Sequence, residues 1–353
     1  MIVSRAPGKL FIAGEYAVVE PGEPAVLVAV DRHLTVRLTE AGGPGRVRSG
    51  RSMLAWRHAG DGVAVVTGRN DYVTAAIGAV ESLRAARGLP ARYFDLDLTS
   101  DLTDTDGRKL GLGSSSAVVV AIMAALDRFH GLALTPLQRF RLALLATIEV
   151  SPNASGGDLA AATFGGWIHY TSPDRDALVA RRAEVGLAET LDSDAWDGCG
   201  VTPLPSPESL QLLVGWTGEP ASTPRLVERV RRPRDVASYG GFISDSRVCV
   251  NDLVAGLGKG DVADSIRRAR ALLQGLARDT GIEIETAALA RLCDIAERHG
   301  AAAKPSGAGG GDCGVALAGH GLPMIGMLRE WESNDIRPLD LSVCPGGSAG
   351  DER

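Results

Sequence analysis

Two hydrophobic patterns alternate along the chain, one with a period of two residues and one with a helical period. Period-two segments and short apolar runs predict strands at 3–6, 10–13, 24–30, 34–38, 46–67, 93–98, 210–216, 315–318 and 336–343. Helix-periodic and longer apolar runs predict helices at 70–87, 117–128, 134–150, 261–278, 286–299 and 322–331. Both kinds of element therefore occur in each half of the chain.

Proline, glycine and polar residues mark the ends of several of these elements. Thr135 followed by Pro136 is typical of a helix N-terminus. Pro7-Gly8 predicts a turn between the first two strands. Residues 174–208 are rich in Asp, Pro and small residues and show little periodicity, which predicts an irregular crossing between two domains.

Length and composition are those of an ordinary globular chain. The 353 residues suffice for two cores, and 45% hydrophobic with 23% charged residues is usual. A net charge of −6 argues against a nucleic-acid partner. The longest apolar run, 117–126, is too short to span a bilayer, and the five cysteines form no C-x-x-C pair. With no leader-like N-terminus, we expect a cytoplasmic protein in a reducing compartment.

The stretch KLGLGSSSAVVV at 109–120 places two glycines and three serines between a predicted strand and a predicted helix. A turn at 111–116 leaves backbone N–H groups without intrahelical acceptors at the positive end of the helix dipole, which suits phosphate. It is not a Walker A loop, because no Lys-Ser/Thr pair follows the last glycine. It is not a dinucleotide fingerprint either, because Ser116 stands at the third glycine. A serine-capped helix without a ligand is the alternative.

Lysine is scarce, and its positions are informative. The chain has four lysines among 37 basic residues. Lys9, Lys109 and Lys304 lie beside glycine-rich or Pro-Gly turns, whereas Lys259 lies in an ordinary loop. A compact ammonium suits a phosphate oxygen that moves during a reaction, while a guanidinium fixes a planar pair. Chance placement of so few lysines is the alternative.

Three further segments carry candidate site residues. In SPNASGGD, Ser155 and Asp158 stand at the start of a short alanine-rich helix, where Asp is also a common dipole partner. In AKPSGAGGGDCG at 303–314, five glycines allow a close approach of backbone to ligand, although a flexible surface loop has a similar composition. In TGEPASTPRL, Ser222 or the residue after it caps a predicted helix.

These segments resemble, in order, the motifs of the GHMP kinases, the superfamily of galactokinase, homoserine kinase, mevalonate kinase and phosphomevalonate kinase. APGKLFIAGEYAVVE is similar to the first motif, KLGLGSSSAVVV to the second and KPSGAGGGDCG to the third. Ser116 replaces the usual Ala of the second motif. Tyr16 stands where mevalonate kinases usually have His. Together with SPNASGGD and GWTGEPAST, it favours the phosphomevalonate kinase branch.

The resemblance implies an α+β, two-domain GHMP kinase fold. An N-terminal half like ribosomal protein S5 domain 2 is expected over 1–172, a ferredoxin-like C-terminal half over 173–345 and a disordered tail at 346–353. It implies ATP and Mg²⁺ as cofactors and 5-phosphomevalonate as the phosphoryl acceptor. Mevalonate kinase, or another small-alcohol kinase, is the alternative within the family. A sensor that binds ATP and a small ligand without turnover is the alternative of another class, and a homodimer stays open.

The resemblance also assigns roles to residues. The catalytic residues are Lys9, Lys109 and Asp158. The ATP-binding residues are Lys109, Gly111, Leu112, Gly113, Ser114, Ser115 and Ser116, with Ser115 as the Mg²⁺ ligand. The substrate-binding residues are Lys9, Ser155, Gly156, Ser222, Lys304, Ser306 and Gly307. Asp158 is assigned as a partner of Lys9, because a phosphate monoester, with a second pKa of about 6, needs no base to ionise it at neutral pH. With an alcohol acceptor, Asp158 would be the base.

Overall fold

The computed structural model describes residues 1–50, 52–59, 71–219, 226, 238–259 and 261–347, and the backbone alone at 62–67 and 236–237. These residues form one eight-stranded and one four-stranded sheet, with helices packed against both. The architecture is therefore α+β, as predicted, with one sheet in each half of the chain.

The eight-stranded sheet is built around one long strand. Its strands are β1 (Ile2–Ala13), β2 (Pro24–Ala41), β3 (Gly45–Ser49), β4 (Ser52–Ala59), β5 (Gly62–Thr67), β6 (Tyr93–Ser100), β7 (Trp167–Thr171) and β8 (Gly200–Leu204). β2 pairs with β1 on one side, and with β6 and β7 at different points of the other side. The apolar run 25–30 in β2 is buried throughout, which is typical of a strand covered on both faces.

The predicted turn at Pro7-Gly8 is wrong. β1 continues through both residues, and its pairing with β2 shifts register there, from Pro7 opposite His33 to Gly8 opposite Val30. The shift passes over residues 31 and 32 of β2, as in a β-bulge. Gly8 lies close to Leu112, whose Cβ would be 3.1 Å from a Cβ at position 8. Cross-strand pairing along nearly the whole of β1 outweighs the local preference for a turn.

Four helices of the N-terminal half lie close to their predicted positions. They are α1 (Tyr72–Ala86), α2 (Ser114–His130), α3 (Pro136–Val150) and the short α4 (Gly157–Phe164). Asp71 caps α1 and Thr135 caps α3, each in a capping box. Gly131 ends α2 in the left-handed conformation, with φ 66°. Both α2 and α4 pack on β1, so one strand supports the first turns of two helices.

Residues 174–208, predicted as an irregular crossing, are mostly regular. They form α5 (Arg175–Val185), α6 (Leu187–Thr190), a 3-10 turn (Asp194–Trp196) and β8. The Asp174 carboxylate caps α5 by accepting from the Ala177 N–H, 3.0 Å away. α5 is largely exposed and therefore shows little apolar periodicity. Because β8 pairs with β7, the first sheet extends to Leu204, beyond the domain boundary predicted at 172.

The four-stranded sheet belongs to the C-terminal half. Its strands are β9 (Leu210–Trp216), β10 (Ala302–Pro305), β11 (Cys313–Gly319) and β12 (Arg337–Leu339), and its helices are α7 (Val236–Leu257), α8 (Ala263–Thr280), α9 (Ala287–Arg298) and α10 (Ile325–Glu332). The antiparallel order β10–β11–β9–β12 is ferredoxin-like, as expected. The sequence analysis does not predict α7. Over the described ranges, no helix is long and apolar enough to cross a membrane.

The C-terminal segment returns to the first sheet. Val343 forms a bridge with Val30, and the Gly347 N–H donates to the Phe164 carbonyl oxygen, 3.1 Å away. Residues 346–347 of the predicted tail therefore pack against the N-terminal half. The rest of the tail, 348–353, lies outside the described residues.

Candidate active site

A cleft of about 660 Å³ lies where the two halves of the chain meet. Its walls come from β1 and the residues after it, the loop before α2, the loop between α3 and α4, and the glycine-rich loop after β10. The predicted site residues that line it are Lys9, Lys109, Gly111, Gly113, Ser114, Ser115, Ser116, Ser155, Gly156, Asp158 and Gly307. The fold thus brings together residues that are remote in sequence.

The loop before α2 has the backbone conformation of an anion-binding turn. Gly111 and Gly113 are left-handed, with φ 76° and 77°, a conformation that glycine adopts at little cost. Leu112 between them is buried, and its carbonyl oxygen accepts from the Lys9 N–H at 3.0 Å. This bond ties the loop to β1. The N–H groups of Ser114 and Ser115 open α2, where a helix has no internal acceptors to offer and its dipole is positive. The Ser116 N–H donates to the Gly113 carbonyl oxygen at 3.1 Å.

The loop also rests on the C-terminal half. The Cys313 thiol donates to the Leu110 carbonyl oxygen at 3.0 Å. Gly111 lies so close to the Asp312 side chain that a Cβ at position 111 would overlap it. The position of the loop therefore depends on both halves of the chain.

Lys9 and Asp158 form an ion pair at the floor of the cleft. The Lys9 Nζ lies 3.4 Å from the Asp158 Oδ2, and the two side chains are 8% and 32% exposed. Asp158 is in the first turn of α4. Both side chains contact Gly113, because a Cβ there would lie 2.9 Å from the Lys9 Cε and 3.4 Å from the Asp158 Oδ2. The Lys9 ammonium is thus held beside the anion-binding turn.

Ser155 and Gly156 are fixed by a buried tyrosine. The Tyr170 hydroxyl donates to the Ser155 carbonyl oxygen at 2.6 Å. Burial raises the pKa of Tyr170 well above its usual value, so the phenol keeps the proton it donates. Gly156 is left-handed, with φ 88°, and a Cβ there would come within 2.5 Å of the tyrosine oxygen. Tyr170 thus supports this wall of the cleft up to the N-terminus of α4.

Lys109 lies at the rim of the cleft and is exposed. The residue before it, Arg108, bonds to the Asp104 carboxylate at 2.9 Å, and its guanidinium stacks on the Trp216 ring, 5.0 Å from the centroid. The Lys109 backbone also bridges to Thr103. The backbone of Lys109 is therefore held in place while its side chain reaches solvent. Such a side chain can adjust its position to a bound ligand.

Comparisons with known proteins agree with this geometry. The model of the GHMP kinases N terminal domain matches residues 71–166, and that of the GHMP kinases C terminal domain matches residues 256–330. The chain is 46% identical to the phosphomevalonate kinase of Streptomyces sp. (strain CL190), and the match covers 98% of each protein. The chain belongs to the GHMP kinase family.

Solved structures of similar proteins share the whole fold. The Lin0012 protein from Listeria innocua superposes with a TM-score of 0.90 at 31% identity, covering 96% of this GHMP kinase and 97% of that chain. Streptococcus pneumoniae phosphomevalonate kinase, solved in complex with phosphomevalonate and AMPPNP, superposes with a TM-score of 0.86 at 29% identity. That match covers 97% of this chain and 100% of the other.

Two predicted substrate-binding residues of this GHMP kinase do not line the cleft. Lys304 is fully buried, forms an ion pair with Glu15 and donates to the Pro305 carbonyl oxygen at 2.7 Å. Ser306 is buried too, and its hydroxyl donates to the Phe11 carbonyl oxygen at 3.0 Å and accepts from the Phe11 N–H at 2.9 Å. Both side chains are engaged in joining the two halves of the chain. Ser222 lies outside the described residues.

Sequence reasoning missed several polar residues that line the cleft of this GHMP kinase, among them Glu15, Asn153 and Asp312. Glu15 interrupts the apolar run that follows Lys9, and Asp312 is the acidic residue within the third motif. A charged residue within an apolar run or within a glycine-rich motif is the sequence signal that could have indicated these two residues. Among the described residues, the acidic lining groups are Glu15, Asp158 and Asp312, and the basic ones are Lys9 and Lys109.

Proposed function

We propose that the protein is a phosphomevalonate kinase. It transfers the γ-phosphoryl group of ATP to (R)-5-phosphomevalonate and releases (R)-5-diphosphomevalonate and ADP. The support is the 46% identity to a phosphomevalonate kinase over 98% of the chain. The similar Streptococcus pneumoniae enzyme was solved with phosphomevalonate and AMPPNP.

The observation that carries the proposal is the position of the Lys9 ammonium. It lies 3.4 Å from the Asp158 carboxylate and against Gly113 of the anion-binding turn. A phosphoryl group that moves from a nucleotide on this turn to an acceptor beside α4 passes this cation. Phosphoryl transfer depends mainly on positioning and on stabilisation of charge, and one fixed ammonium supplies both.

The acceptor explains why the site needs cations more than a base. A phosphate monoester has a second pKa of about 6, so its attacking oxygen is already ionised at neutral pH. The barrier is instead the approach of two anions to about 3–3.5 Å. Lys9 and Lys109 offset this repulsion, Lys9 at the transferring phosphoryl group and Lys109 at the ATP phosphates. Asp158 orients Lys9.

Backbone groups and hydroxyls supply the remaining contacts. Ser114 and Ser116 at the start of α2 bind the ATP phosphates together with the backbone at 111–113. Ser155, Gly156 and Gly307, which line the same cleft, bind the acceptor. Lys304 and Ser306 have no direct part in this scheme because their side chains are buried in contacts between the halves.

The residues present also suit a nucleotide-bound Mg²⁺. The described residues contain no cluster of three metal-binding side chains. Mg²⁺ in kinases takes most of its ligands from substrate phosphates and water, with one or two from the protein. The Ser115 hydroxyl at the start of α2 is the oxygen ligand that we assign to it. The metal supplies charge neutralisation of the phosphates when bound.

A coupled assay of ADP release tests the proposed function. The purified protein is given ATP and Mg²⁺ with 5-phosphomevalonate, mevalonate, homoserine or galactose. We expect turnover with 5-phosphomevalonate and none above background with the others. Turnover with mevalonate instead would make Asp158 a base and the protein a mevalonate kinase. Nucleotide-induced stabilisation without ADP release from any acceptor would identify a non-catalytic sensor.

A further inference from the structure

Lys304 and Glu15 form a buried ion pair between the two halves of the chain. Lys304 is in β10 of the second sheet, and Glu15 follows β1 of the first. Their side chains are 0% and 3% exposed. A buried charge is costly unless a partner and hydrogen bonds compensate it. Each of these residues therefore depends on the other, although they are remote in sequence.

The pair is the centre of a set of contacts that fixes the wall of the cleft. The Gly307 N–H donates to the Glu15 carboxylate at 3.3 Å, and the Tyr16 hydroxyl donates to the Ala308 carbonyl oxygen. Ser306 is bonded to both backbone groups of Phe11. These contacts align the loop at 306–308 with the end of β1, the strand that carries Lys9.

The pair also determines the charge that a ligand meets. Glu15 lines the cleft, whereas Lys304 does not. The ammonium of Lys304 thus approaches the carboxylate from the protein side and compensates its charge. If Lys304 were neutral, a buried carboxylate would face a cleft that must accept two anions. Such repulsion is poorly screened because the groups are shielded from solvent.

We propose that Lys304 is a positioning residue for the transfer, one that touches neither substrate. It neutralises Glu15 and thereby holds Gly307 and Ala308 opposite Lys9. This inference rests on the proposed function, since it assumes anionic ligands in the cleft. It replaces the expectation that the Lys304 ammonium binds the acceptor phosphate.

A double-mutant cycle tests the inference. The variants are Lys304→Met, Glu15→Gln and the double variant Glu15→Gln/Lys304→Met. The readouts are the dissociation constants of 5-phosphomevalonate and AMPPNP by calorimetry, KM and kcat in the ADP assay, and Tm. We expect Lys304→Met to weaken 5-phosphomevalonate binding about 30-fold, because it leaves one charge of a buried pair uncompensated. The double variant should bind within about 5-fold of the wild type, since both charges are gone.

A matched control separates this effect from a loss of stability. Arg270 and Glu285 form another ion pair in the C-terminal half, with side chains 14% and 7% exposed, and neither lines the cleft. Arg270→Met should lower Tm but leave the KM for 5-phosphomevalonate unchanged. If Lys304→Met does not fold, the double variant still tests the claim, because without either buried charge it should fold and bind 5-phosphomevalonate within about 5-fold of the wild type.

The outcomes distinguish this inference from the proposed function. If the double variant is as impaired as Lys304→Met, Lys304 binds the ligand directly and the inference is wrong. An unchanged Lys304→Met variant would contradict it as well. If the wild type shows no turnover of 5-phosphomevalonate, the proposed function fails. The ion pair is then tested by the binding of AMPPNP alone. Lys304→Met should weaken this binding, and the addition of Glu15→Gln should restore it.

Discussion

The Lys9 ammonium lies 3.4 Å from the Asp158 carboxylate, and both side chains lie against Gly113 of the anion-binding turn. The three residues come from β1, the first turn of α4 and the turn before α2. In the proposed function, their meeting point is where the phosphoryl group is stabilised between donor and acceptor.

Replacing Asp158 distinguishes an orienting carboxylate from a general base. We expect Asp158→Asn to lower kcat about 10-fold, because the Lys9 ammonium loses a partner that restricts it, while the acceptor stays ionised. The pH profile of kcat/KM should fall below about pH 6, the second pKa of the acceptor phosphate, in wild type and variant alike. Complete loss of turnover with intact binding would show that Asp158 is a base.

Adding one methyl group at Gly113 should displace Lys9. A Cβ at this position would lie 2.9 Å from the Lys9 Cε, so the flexible lysine has to move. We expect Gly113→Ala to lower kcat about 100-fold and to destabilise the fold by about 1–2 kcal/mol through its left-handed φ of 77°.

Gly131 offers a matched control at the other end of α2. It has a similar φ of 66°, and a Cβ added there would have no neighbouring atom within 4 Å. Gly131→Ala should therefore show a similar loss of stability in denaturant titrations but normal turnover. Equal loss of activity in both variants would mean that backbone strain, and not contact with Lys9, explains the effect.

Removal of the Ser115 hydroxyl tests the proposed metal ligand. We expect Ser115→Ala to raise the Mg²⁺ concentration needed for half-maximal activity by at least about 10-fold, because the cation loses its protein ligand. Binding of Mn²⁺ to the AMPPNP complex, measured by electron paramagnetic resonance, should weaken to a similar degree. An unchanged metal dependence in both measurements would place the metal elsewhere.

Acid stability should depend on a buried glutamate that does not line the cleft. Burial of Glu81 favours the neutral form, but hydrogen bonds from His130 and Arg84 outweigh it and lower the pKa of the carboxyl. The His58 Nδ1 also lies 3.5 Å away. A lowered folded-state pKa stabilises the fold above the ordinary pKa of about 4.3. This stabilisation is lost as the pH falls from there through the folded-state pKa.

Thermal unfolding at several pH values checks this prediction. We expect Glu81→Gln to be about 1–3 kcal/mol less stable than the wild type at pH 7, and therefore to unfold at a lower temperature. Its stability should fall less than that of the wild type when the pH is lowered. Glu40, an exposed partner of Arg92, provides the control, and Glu40→Gln should leave the unfolding curves unchanged. If the wild type and Glu81→Gln lost the same stability on acidification, the assignment would be contradicted.

Local signals predicted much of the fold, and contacts distant in sequence decided the rest. The Thr135-Pro136 cap and the apolar run 210–216 placed α3 and β9 because their causes lie within a few residues. Pro7-Gly8 failed as a turn because pairing with β2 overrides local preference. The first sheet continues to β8, which pairs with β7. This pairing was not predicted, because a local sequence pattern does not show which strand an edge strand will pair with.

The candidate site, like the fold, was predicted where local sequence signals decide the structure and not where contacts distant in sequence do. Lys9 and Lys109 were chosen because they stand beside turns, and both line the cleft, while their roles stay predictions. The same reasoning placed Lys304 in the site, although its ammonium is buried against Glu15. Nothing in the local sequence shows where a carboxylate from the other half of the chain will be. Charge pairing across the domains had to be seen in the structure.

The most direct test of the central claim is to follow the reaction by ³¹P nuclear magnetic resonance with stoichiometric ATP and 5-phosphomevalonate. We predict that the monoester signal of the acceptor is replaced by the two coupled signals of a diphosphate as ATP becomes ADP. With Lys9→Met, we expect the conversion to slow about 1,000-fold while AMPPNP still binds. A persistent monoester signal with the wild type, or an unimpaired Lys9→Met variant, would contradict the account.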